Sequence, residues 1–380
     1  MKYQKNKYFI SIILIATILL SSFLSFSVLK KDNEINLKWN KSYPTDTLTK
    51  NIIALKWCLS FLGSDLASDT TTTGLTIKNN NTIALNIHQL RFDKNALKYL
   101  KKLNAKLKKT EEYQKNNAID IGRYITLTIG SSNHYYKIVD IPKKLEDYNS
   151  LYTFDTINGY IDNSSISLVD RIISFSKNNT PKKQVYISTE VDSISKKIHE
   201  YETVEVMDNG QLKFGIYDQN GNLKDAANKE VTNAGKPAKC IWCHETGIQP
   251  MFRKQNDHKK YLSYQKLQDT LDYYNKQLRS YQDKHWKDKQ IRNKRLHTEM
   301  EISYIAFMEP SAEHLANEWG FSLQEVQKKL KHLDTHRHHE FDFLGDLYYR
   351  KDVDNLAPWK VMNVPESVRE KSNNEVNYLK

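Results

Sequence analysis

Cysteine is scarce in this sequence: there are three in 380 residues. That excludes a disulfide-framework fold, which needs many paired cysteines in a short chain. Acid is missing from one stretch altogether. Residues 1–31 carry Lys2, Lys5, Lys7, Lys30 and Lys31 and no Asp or Glu, so five of the twelve net positive charges belong there and seven to the rest. Charged residues at 27% and hydrophobic residues at 39% exclude a polytopic membrane protein and leave enough apolar side chains for globular cores. No internal repeat is present. A length of 380 residues suits two or three domains.

What is present begins with the one long apolar run, Phe9–Leu29, of 21 uncharged residues behind three lysines. Basic, then apolar, then polar is the layout of a secretory signal, and a helix of this length also spans a bilayer core. No A-x-A site follows it, although a cut near Ser25–Ser27 is compatible with the pattern, and no cysteine near its end invites lipidation. The expectation is export, with the segment either removed or kept as an anchor. Residues 32–380 then face the periplasm or cell envelope.

Residues 32–230 read as a mixed, strand-containing region of unassigned role. Ile52–Leu62 is an apolar run that suits a helix, and Asn95–Lys109 places Leu97, Leu100, Leu103 and Leu107 on one helical face. Thr82–Leu90, Tyr124–Ile129, Tyr135–Ile141, Gln184–Ile187 and Thr203–Val206 are β-prone. Asp208-Asn209-Gly210 before the run Gln211–Asp218 signals a hairpin. Cys58 reads as core. Beyond residues 233–237 the pattern turns helical: Leu267, Leu271, Tyr274, Leu278 and Tyr281 form an amphipathic stripe, interrupted later at Ala306–Pro310. Gly320 stops a helix over Ser311–Trp319, and Ser322 with Glu325 opens the next, Leu323–Leu333, with a capping box. The expected fold class is α+β. A mixed region (32–230) precedes a mainly helical domain (231–350) and a polar, extended tail (351–380).

The strongest local signal is Lys239-Cys240-Ile241-Trp242-Cys243-His244. Two cysteines three apart with histidine next arise by accident in roughly 1 chain in 2,000 of this composition. The pair also serves as half a zinc site or as a thioredoxin-type redox pair. A redox pair ordinarily has tryptophan before its first cysteine, whereas Trp242 lies between the two here.

The segment resembles the haem-attachment motif of c-type cytochromes, a likeness confined to residues 240–250. The resemblance implies one covalent haem c held by thioethers at Cys240 and Cys243, with His244 as proximal ligand to the iron. It implies a cytochrome c-like helical haem domain, in which the Pro250 carbonyl orients His244 and a downstream methionine is the distal ligand. Met308, 64 residues past His244 and at a break in the helical pattern, is the first candidate, and Met300 the weaker one. Trp242 and Phe252 are expected to wall the pocket. The implied role is electron transfer with a redox partner protein. A haem-dependent peroxidase-like enzyme, with Glu245 or His314 as acid–base, is the alternative in a second class, and a zinc- or metal-binding interaction protein in a third. His332, His336, His338 and His339 form a dense group that suits a solvated helix end or a metal. Ala316, Gly320 and Val326 have helix-turn-helix spacing, but export argues against a nucleic-acid partner.

Overall fold

The computed structural model describes residues 34–65, 74–177, 180, 183–367 and 375–380. The apolar segment Phe9–Leu29 lies outside the described residues. Among them no helix is long and apolar enough to cross a membrane. They form a mixed α/β structure of thirteen α-helices and two sheets.

The chain opens with strand β1 (Glu34–Lys38) and helix α1 (Leu48–Phe61), whose first turn is capped by Thr47. Strands β2 (Leu75–Asn79) and β3 (Thr82–Asn86) form a hairpin, and β1 joins it antiparallel, with Ile35 opposite Leu85 and Leu37 opposite Ile83. All four of these apolar side chains point to the core, as a period of two requires. Helix α2 (Lys94–Leu107) starts at Asp93, whose carboxylate accepts from Ala96 N at 2.7 Å, and it buries Leu100, Leu103 and Leu107. Helix α3 (Glu111–Asn116) leads into β4 (Ile119–Asp120), which pairs parallel to β1 and completes the order β2-β3-β1-β4.

The next two elements correct the sequence reading. Tyr124–Ile129 is not a strand: α4 (Ile121–Ile125) runs into a π-helical turn over Thr126–Gly130. Tyr135–Ile141 is not a strand either, because α5 covers Ser132–Ile138. Residues 118–132 are buried without interruption, and a short, fully buried apolar run has no periodicity to separate strand from helix. Asp120 Oδ1 accepts from Gly122 N at 2.6 Å and Ser131 caps α5, so side-chain caps decide the matter. Helix α6 (Glu146–Leu151) follows.

The second sheet is an antiparallel meander of β5 (Gly159–Ile161), β6 (Asp170–Phe175), β7 (Val185–Val191), β8 (Ile198–Val206) and β9 (Leu212–Asp218). The β8–β9 turn uses Gly210 at φ +81°, as the hairpin signal requires. Helix α7 (Pro237–His244) packs on β9. Helix α8 (Tyr264–His285) presses so closely on the sheet edge that a Cβ at Gly159 would sit 2.5 Å from Leu267. Helices α9 (Lys289–Lys294), α10 (Thr298–Met308), α11 (Ala312–Trp319), α12 (Leu323–Leu330) and α13 (Arg350–Val353) complete the order.

One buried cluster takes Ile35, Phe61 and Phe214 from before the composition change and Ile241, Leu278 and Phe307 from after it. Helix α10 lies directly on α1. A small satellite of Leu315, Trp319, Val326, Leu330 and Val353 surrounds the helix–glycine–helix unit, with Gly320 at φ +71°. The expected helix to Leu333 ends at Leu330, so His332 and His336 do not share a helical face; His336 instead bridges to Leu347. The end of the tail is packed rather than loose, with Leu379 buried.

Candidate functional site

Pro237 at the first turn of α7 has no N–H to leave unsatisfied, which suits a helix start. The helix then runs for two turns and stops at Glu245, whose φ of +52° no continuing helix allows. Cys240, Cys243 and His244 stand at i, i+3 and i+4 and so share one face. Ile241 and Trp242 face the other way. Ile241 is fully buried, and the Trp242 ring lies 5.6 Å from that of His297 and 5.5 Å from that of Tyr304. Neither cysteine is in a disulfide.

His244 rests on Phe214 of β9, ring centres 5.4 Å apart. Its Nδ1 is buried with no hydrogen-bond partner. Burial, helped by the nearby Arg171 guanidinium, pushes its pKa down to about 4, so the imidazole is neutral at ordinary pH. A neutral imidazole is the form that can ligate a metal, and the backbone of Gly247 also acts on this ring.

The ring borders a cleft of about 570 Å³, including its open mouth, between the β5–β8 face of the second sheet and the segment after α7. Ile161, Ile173, Val204, Phe252 and Leu271 give it apolar walls. Its polar feature is an ion-pair group on the sheet. Arg171 Nε lies 2.7 Å from Glu190 Oε1, and its Nη2 lies 2.7 Å from Glu202 Oε2. Burial raises the Glu202 carboxyl to about 7 despite Arg171. Burial, then Glu202, raises the Cys240 thiol well above its usual range. That is the opposite of the lowered pKa on which a thioredoxin-type pair depends.

His244, Pro250 and Phe252 border this cleft, whereas Cys240 and Cys243, on the same helix as His244, do not line it. Pro250 borders the cleft, but with His244 Nδ1 unpartnered its carbonyl is not the acceptor that the resemblance implies. Met308 is not in a loop: it is the last residue of α10 and lines a separate cleft with Tyr349 and Arg350. Met300 is wholly buried in the same helix. The methionine that does border the His244 cleft is Met251. Phe252 walls it as expected, whereas Trp242 faces α10. Among the described residues no group of three or more His, Cys, Asp or Glu could hold a metal ion, so neither a four-ligand zinc set nor a His332–His339 metal site is assembled there. Haem asks less of the chain, since the porphyrin supplies four ligands and the protein one or two.

His314 lies in a different buried network. Its Nδ1 is 2.6 Å from Ser42 Oγ, and its Nε2 is 3.4 Å from Asp120 Oδ2 and 3.5 Å from Glu318 Oε2. Burial opposes its charge, but Asp120 and Glu318 outweigh burial and raise its pKa. Arg123 and Arg350, both buried, complete the group around Glu318, at 3.2 and 2.8 Å. Opposite charges face one another throughout this group, although His314 Nε2, Arg123 Nε and Arg350 Nη2 make no hydrogen bond of good geometry within it.

Sequence reasoning misses Arg171, Glu202 and Phe214. For Glu202 the one trace is the period of two in β8, which puts Glu200, Glu202 and Val204 on one face of the strand. No protein-family model matches this chain, and no curated protein and no solved structure matches it either.

Proposed function

We propose that the chain is an exported or membrane-anchored monohaem c-type protein that carries electrons, with a cytochrome c-like attachment site on α7. The observation that carries the reading is one helical face with Cys240, Cys243 and a neutral His244 whose buried nitrogen lacks a partner, beside an apolar cleft. Cys240 and Cys243 would hold the group as thioethers, and His244 would be its protein ligand. Bound haem would supply one-electron redox chemistry at its iron. Phe214 packs on the His244 ring, and Ile161, Ile173 and Leu271 give the cleft apolar walls. Export rests on the sequence of Phe9–Leu29, and the seven net positive charges beyond residue 31 suit an acidic redox partner.

The test is a pyridine haemochrome spectrum of denatured protein from a host that matures c-type haem. Covalent haem is expected in the natural chain and lost in Cys240→Ala with Cys243→Ala. Its absence from the natural chain overturns the reading. A haem-dependent peroxidase-like enzyme is the second reading, favoured by one observation: Glu202 puts a carboxyl group in the cleft wall, where an acid–base residue would have to be. Fast peroxide turnover, lost in Glu202→Gln, would select it.

A further inference from the structure

Residues 375–380 close on the start of the helix that carries the cysteines. Lys236, which precedes α7, is 0% exposed, and its Nζ lies 2.7 Å from Glu375 Oε2. Ser131 Oγ donates to Glu375 Oε1 at 2.8 Å. Further along, Tyr378 N donates to His134 Nε2 at 2.9 Å, and Lys137 Nζ donates to Leu379 O at 2.9 Å. Lys102 Nζ reaches the carbonyls of Leu379 and Lys380. These contacts fasten the segment across α5, and α5 packs on α7. Tyr135 and Tyr136 of α5 lie near enough to Cys240 for its charge to act on their phenols.

We propose that residues 375–380 are a latch on the cysteine helix, and that the Lys236–Glu375 pair sets how readily Cys240 and Cys243 are reached from outside. The physical reasons are two. Removing one partner of a buried ion pair leaves an uncompensated charge in the interior, a far larger disturbance than losing the pair as a whole. And α7, at eight residues, is too short to persist without its packing, so a disturbance at its first turn opens the helix locally. The inference goes beyond the haem reading and stands whether or not the thiols take haem.

The chain carries its own control. Cys58 is fully buried in α1 and reports general unfolding, whereas Cys240 and Cys243 are partly exposed in α7 and gain access as that helix opens. The experiment is alkylation of the full-length, haem-free, reduced chain with iodoacetamide, with the three cysteines resolved by peptide mass spectrometry. In Glu375→Gln, and in a chain lacking 375–380, labelling of Cys240 and Cys243 is expected to accelerate at least about tenfold while Cys58 keeps its rate. The double change Lys236→Met with Glu375→Leu, which removes both charges, is expected to restore slow labelling. Unchanged rates at Cys240 and Cys243 in Glu375→Gln overturn the proposal. So does an equal rise at all three cysteines, or a double variant as fast as the single one. If the shortened chain does not fold, the two point variants decide.

Discussion

His297 Nε2 lies 3.0 Å from the carbonyl oxygen of Ile241, so the residue before α10 braces the last turn of the cysteine helix. His297 is buried, and burial lowers its pKa, which makes it a neutral ring donating from Nε2. Its ring also lies 6.2 Å from that of Phe61, so the same side chain ties α7 to α1. His297→Leu removes the donor and keeps apolar bulk. The expected cost is about 1–3 kcal/mol, read as a lower urea midpoint with an unchanged slope. An unchanged midpoint would show that the contact contributes nothing net.

The neutral state of His244 has a pH signature. Its folded pKa of about 4 lies below the ordinary histidine value of 6.5, so between those values the unfolded chain holds more protons than the folded one. Stability attributable to this group is therefore complete above pH 6.5 and declines as pH falls towards 4. His244→Gln, which does not titrate, is expected to lose roughly 2–3 kcal/mol less than the natural chain between about pH 7.5 and 4.5 in urea unfolding. Glu202 runs the other way. A carboxyl raised to about 7 loses stability as pH rises from 4.5 through 7, so the two must be separated by single variants. Parallel pH profiles for His244→Gln and the natural chain would mean that the ring is not held neutral.

Glu318 is the hinge of the buried charge network. It bonds Arg123 at 3.2 Å and Arg350 at 2.8 Å, and the two guanidiniums lie over the ring of Phe307 at 5.0 and 3.9 Å. Glu318→Gln keeps the shape and removes the charge, leaving two buried cations undercompensated. A loss of about 3–5 kcal/mol is expected in the same urea measurement. A loss below about 1 kcal/mol would mean that Asp354, 3.1 Å from Arg123 and 3.3 Å from Arg350, together with Glu112, 3.1 Å from Arg123, suffices for both arginines.

The Cys240–Cys243–His244 motif is legible in the sequence because its three residues lie within five positions of one helix, and spacing alone places them on a face. The cleft beside them is not. Arg171 faces Glu190 across the β6–β7 ladder, and Ser188 faces Glu202 across β7–β8, so the ion-pair group exists only once three strands are in register. The helical leucines of α2 and the capping box at Ser322 are readable for the same local reason as the motif. The run from Tyr124 misleads because it is buried on every side and its conformation is set by Asp120 and Ser131 at its ends. Pro310 makes Met308 look like a loop residue, yet proline only prevents the helix from going on, and α10 keeps its turn up to Met308.

If haem is bound as proposed, that difference separates the three methionines as candidate iron ligands. Met251 borders the cleft that His244 borders, while Met308 borders a separate one beside Arg350, and Met300 is sealed in α10. In haem-loaded protein, the weak far-red band that marks methionine–iron bonding in c-type cytochromes is expected to vanish in Met251→Ala and persist in Met308→Ala and Met300→Ala. A thioether ligand also raises the reduction potential, so Met251→Ala is expected to lower it while the other two leave it in place. Loss of the band in Met308→Ala alone would mean that the group sits against α10 and not in the β5–β8 cleft. A natural chain without the band would give the sixth position to a residue other than methionine, or to none.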